Sequence, residues 1–91
     1  MREWKQTINF MPFWNEDGMS IVDKGKAAAA EIKRVFPDWE NGDDDELEYI
    51  VGDFEEGVAE DEAPVEMFDS AMSDLYDWAD ENSVWVATNF K

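Results

Sequence analysis

Cysteine and histidine are both absent from this chain, and each absence closes a class of chemistry. Without thiols there is no disulfide and no thiolate zinc site. Without imidazole, the usual general base, the usual transition-metal ligand and the switch that titrates near neutrality are missing. No apolar run approaches the ~20 residues that span a bilayer, and the opening residues lack the basic-then-apolar order of a secretory signal. The last shortage is of one sign of charge. Of the 24 acids, five (Glu3, Glu16, Asp17, Asp23, Glu31) precede Phe36 and 19 follow it, whereas no lysine, arginine or histidine occurs from Phe36 to Phe90. Six of the seven basic residues (Arg2, Lys5, Lys24, Lys26, Lys33, Arg34) lie before Phe36, and Lys91 is the seventh. Nearly all of the net charge of −17 therefore belongs to the second part of the chain.

What is present argues for a folded chain. High net charge is a signature of disorder, but 44% hydrophobic residues, with five tryptophans, six phenylalanines and two tyrosines, are what a core needs. At 91 residues the chain reads as a single acidic domain, 1–91, since a second core would be too small to fold alone. A cytoplasmic setting is expected, and anionic lipid surfaces would repel so acidic a protein.

The element pattern predicts an α+β fold. Residues 3–10, EWKQTINF, alternate, with Trp4, Gln6, Ile8 and Phe10 on one side, as in a short half-buried strand. Pro12 and the residues from Asn15 to Gly18 predict a turn or loop. Ser20 with Asp23 reads as a capping box opening a first helix, whose Ile21, Gly25, Ala28, Ala29, Ile32, Val35 and Phe36 share a face. Pro37 ends it. In a second helix, Asp43-Asp44-Asp45 supplies the N-cap, Leu47, Ile50, Val51, Phe54 and Val58 form the stripe, and Gly57 is the expected C-cap. A third helix opens near Ala63-Pro64 and buries Val65, Phe68, Ala71, Met72, Leu75, Trp78 and Ala79. The period then returns to two, placing Val84, Val86, Thr88 and Phe90 on one face of a second strand. The expectation is three helices with a small antiparallel sheet formed by the N- and C-terminal strands. Trp14, Trp39, Phe54, Phe68, Trp78 and Trp85 are expected mainly as core anchors, with Trp39 the one most readily placed on the surface.

Little here points to catalysis or metal. An EF-hand loop needs glycine at its sixth position after alternating acids, and the residues five before Gly42 and Gly57 are Pro37 and Gly52. There is no phosphate-cradling glycine loop and no nucleophile elbow. No histidine stands by to activate the serines, and three helices leave little room for the sugar-sized cleft that paired carboxylates would need. The expectation is a non-enzyme with no cofactor and no metal. Direct nucleic-acid binding fails on sign, because affinity comes from neutralising phosphates with lysine and arginine.

Reversed, the same arithmetic is suggestive. Duplex DNA carries one charge per ~1.7 Å, so the 19 acids match roughly 32 Å of duplex. Carboxylates three or four apart on a helix lie ~5–6 Å from one another at Cβ, and Asp45/Glu48, Glu66/Asp69, Asp74/Asp77 and Asp77/Asp80 have that spacing. In size and charge pattern, residues 38–81 (DWENGDDDELEYIVGDFEEGVAEDE then APVEMFDSAMSDLYDWADE) resemble the small acidic DNA-mimic proteins of bacteriophages and mobile elements. That class includes anti-restriction proteins, inhibitors of uracil-DNA glycosylase and some anti-CRISPR proteins. The resemblance implies an inhibitor that occupies the nucleic-acid-binding site of a basic host protein, as monomer or homodimer, in the host cytoplasm. The partner-facing residues would be Asp43, Asp44, Asp45, Glu48, Glu55, Glu56, Glu66, Asp69, Asp74, Asp77, Asp80 and Glu81.

Two other readings compete. An acidic interaction module would grip a basic partner through an aromatic–acidic helix face such as Phe68, Met72, Leu75 and Trp78. The other reading is that acidity serves only solubility or salt tolerance, although a salt-adapted chain should be acidic throughout, and residues 1–35 are not.

Overall fold

A computed structural model describes residues 4–39 and 45–88. The chain runs β1 (Gln6–Asn9), α1 (Met11–Trp14), α2 (Ile21–Val35), α3 (Asp45–Gly52), a π-helical segment (Asp53–Gly57), α4 (Val58–Glu60), α5 (Pro64–Glu81) and β2 (Val84–Ala87). Of the elements expected from periodicity, α2 matches best. Ser20 Oγ accepts from the Asp23 backbone N–H at 3.1 Å, and Phe36 is the C-cap before Pro37.

The sheet corrects an expectation. β1 and β2 pair in parallel, not antiparallel, with Gln6 opposite Val84 and Ile8 opposite Val86. Three helical passes separate the strands: α2, the α3–α4 run and α5. If each pass turns the chain back, four reversals separate β1 from β2, and an even number returns the last strand in the direction of the first. A parallel pair needs such a long crossover, and here most of the chain supplies it. Backbone bonds from Lys5 to Ser83 (2.7 Å) and from Phe10 to Ala87 (2.9 Å) extend the ladder at both ends. Ser83, at φ 57°, makes the sharp turn out of α5.

Two local expectations also change. Pro12 does not open a loop; it lies in the first turn of α1, where its missing N–H costs nothing. Asn9 Oδ1 accepts from the Met11 N–H at 3.1 Å and starts that turn. Gly57 is not a C-cap, because its backbone is helical and the chain continues to Glu60. The wide turn between is marked by Val58 N–H bonding to the Asp53 carbonyl five residues back. Gly25 of α2 abuts this segment so closely that a Cβ there would stand 2.5 Å from the Phe54 carbonyl oxygen.

One contiguous cluster fills the interior, from Ile8 and Phe10 through Ala28, Ile32, Ile50 and Phe54 to Leu75, Trp78 and Val86. Phe54 is its hub, with ring centroids 6.2 Å from Phe10 and 5.5 Å from Phe68, both edge-on. Val65, expected in the buried stripe, is instead 57% exposed. Trp39, expected on the surface, is half-buried against the cluster, with Lys33 Nζ 5.0 Å from its ring centroid. Phe90 lies outside the described residues. No helix among the described residues is long and apolar enough to cross a membrane.

Candidate functional site: the acidic face of α3 and α5

α5 turns six side chains inward: Phe68, Ala71, Met72, Leu75, Trp78 and Ala79. At about 100° per residue, everything between those positions points outward. Glu66, Asp69, Asp74, Asp77, Asp80 and Glu81 are all exposed, and they form a ridge about 22 Å long. The ridge has no basic member. Its far end opposes the helix dipole, since Asp80 and Glu81 close a last turn that holds no cation. In contrast, Asp45, Glu46 and Glu48 stand in the first turn of α3, where the dipole favours them. The acids of α3 therefore have a local reason to be there. Those at the end of α5 do not.

The groove between the two helices gathers Asp45, Glu46, Tyr49, Asp74 and Asp77 over a floor made by Ile50, which is 1% exposed. A second shallow groove lies on the far side of Tyr49, lined by Asp53, Glu56 and Glu60. Tyr49, 72% exposed, stands between the two. Burial, and secondarily the charge of Asp74, raises the Asp53 carboxyl above the usual aspartate range. Like charges are thus held close across the helix pair, and the fold bears the cost.

The residues expected to meet a partner separate into groups. Asp45, Asp74 and Asp77 share one groove, and Glu56 lines its neighbour. Asp69 and Asp80 line grooves on the other flank of α5. Glu48, Glu66 and Glu81 are exposed outside these grooves. Glu55, half-buried, pairs with Lys33 of α2, so its charge is spent bracing the two helices. Asp43 and Asp44 lie outside the described residues. Other acids are also structural. Glu31 accepts from Arg34 and from the Asn9 backbone N–H at 3.0 Å, and the Arg34 hydrogen bond chiefly holds its carboxyl below the usual range. Asp61 accepts from the Ala63 N–H at 2.8 Å, just before α5.

Tyr49, Glu46, Asp53, Glu60 and Tyr76 were not singled out by charge spacing. A signal was available for the tyrosines, since both fall outside the apolar stripes of their helices. The aromatic–acidic face of Phe68, Met72, Leu75 and Trp78 is core, with exposures of 5, 5, 0 and 4%. Among the described residues no three carboxylates converge closely enough to hold a metal ion. Comparison with family models, curated proteins and solved structures finds no match.

Proposed function

We propose that the protein is a non-enzymatic DNA mimic that occupies the nucleic-acid-binding site of a basic host protein, such as a restriction, CRISPR or repair component. The observation that carries this reading is the α3–α5 face, on which carboxylates stand on two packed helices whose own sequences hold no lysine or arginine. Lysines and arginines placed to meet phosphates would meet charges already ordered on a rigid scaffold, so little entropy is lost on docking. The longest dimension, 36 Å, is close to the length of duplex whose charge the acids match. The aromatic-face alternative would require α5 to leave the core.

The test is displacement. Immobilised protein is exposed to bacterial lysate and then washed with duplex DNA. The captured protein should be a nucleic-acid binder that DNA releases, and its association should slow as salt rises. Exchanging Asp45, Glu48, Asp69, Asp74 and Asp77 together for Asn or Gln should weaken capture by at least about tenfold, each charge contributing little alone, with the circular dichroism spectrum unchanged. Capture that excess DNA cannot reverse, or a quintuple variant that binds at full strength, overturns the mimic.

A further inference from the structure

Among the described residues Tyr49 is the most exposed large aromatic side chain, whereas Phe54, one helical turn further on, is fully buried. Along its own helix Tyr49 stands four residues after Asp45, three after Glu46 and four before Asp53, and side chains at that spacing are neighbours, ~5–6 Å apart at Cβ. The groove on one side of the ring is closed by Asp74 and Asp77 of α5, and the groove on the other side holds Glu56. Among the described residues no hydrogen bond or ion pair engages these six carboxylates, in contrast to those of Glu31 and Glu55.

Solubility would be served as well by a charged residue at this position, and the core does not use the ring. An isolated tyrosine set among rim charges has the character of an interface anchor, since tyrosine and arginine are enriched where binding energy concentrates. The surrounding charge decides what it anchors. A guanidinium is planar and weakly hydrated, so it stacks on a ring while its N–H fork meets a carboxylate through parallel hydrogen bonds. A lysine ammonium is a compact, strongly hydrated point charge and does this less well. A second copy of the chain is a poor occupant, because its net charge of −17 is repelled by this face. Resting on the reading above that the partner is basic, we propose that Tyr49 is the anchor of the interface, a ring on which an arginine of the partner stacks while the carboxylates of the two flanking grooves take its N–H groups. The face thereby selects arginine-rich over lysine-rich sites.

Nona-arginine and nona-lysine carry equal charge and separate this inference from simple attraction. Titrated calorimetrically into the full chain at physiological salt, the arginine peptide should bind roughly two- to tenfold more tightly. Tyr49→Leu keeps apolar bulk without the ring, and it should bring the ratio towards one while nona-lysine affinity and the circular dichroism spectrum stay as they were. Tyr49→Phe, which keeps the ring and loses only the hydroxyl, should preserve the ratio. So should Tyr76→Leu, which removes the exposed ring on the other flank of α5. Equal affinity of the parent for both peptides overturns arginine selectivity and leaves the acidic-face reading standing. A ratio that survives Tyr49→Leu, or that Tyr76→Leu abolishes, removes this site. If neither peptide binds, both readings fall together.

Discussion

Asp53 illustrates at the scale of one residue what this surface costs. Its carboxyl is raised in the fold by burial and by Asp74, so at neutral pH the fold holds this charge at a cost that the unfolded chain does not bear. As pH falls through the raised value, the native state binds that proton before the unfolded chain does, and stability gains until the unfolded carboxyl is protonated too, near about pH 3.9. Glu31 has the opposite sign. Its lowered value, set mainly by Arg34, stabilises the fold above the ordinary glutamate range and fades as pH falls below it. Asp53→Asn should therefore raise the stability measured by urea unfolding at pH 7, by no more than about 1 kcal/mol because solvent still screens a half-buried group. The advantage should shrink on acidification. A variant less stable than the parent at pH 7 would show that Asp53 makes a contact the fold needs.

Between elements, the critical approach is α2 against the π-helical segment. A Cβ at Gly25 would sit 2.5 Å from the Phe54 carbonyl and 3.4 Å from Val58 Cβ, whereas one at Gly52 meets nothing within 4 Å. Glycine in a helix ordinarily costs about 1 kcal/mol relative to alanine, so the two positions should respond with opposite signs. Gly25→Ala should destabilise by about 1–3 kcal/mol through overpacking. Gly52→Ala should stabilise by up to about 1 kcal/mol. Urea unfolding of both variants checks this, and a stabilising Gly25→Ala would mean that α2 does not ride this close on the segment.

For the whole molecule, field and core are in tension. Two cations of α2, Lys33 and Arg34, are engaged with Glu55 and Glu31, and neither α3 nor α5 carries a lysine or arginine in its own sequence. Self-repulsion should therefore be a measurable part of stability. Added sodium chloride should raise the urea midpoint, most steeply below about 0.15 M, where the Debye length exceeds about 8 Å. A midpoint that falls with salt would mean that ion pairing, not repulsion, dominates the electrostatics.

Local order along the chain was enough to determine much of this protein. The cap at Ser20, the apolar stripes of α2, α3 and α5, the alternation of Ile8 with Phe10 and of Val84 with Val86, and the separation of charge all follow from near neighbours. Helix and strand periods express nothing longer-ranged. The direction of β2 depended on how often the intervening passes turn the chain back, and the close approach of α2 to the π-helical segment, at Gly25 and Phe54, joins residues far apart in sequence. Tertiary structure alone decided which acids meet. It set Glu55 against Lys33, brought Asp53 to Asp74, and left Tyr49 and Tyr76 exposed on opposite flanks of one ridge. Charge is carried by residues, but an electrostatic surface is a property of distances, and those exist only once the helices have packed.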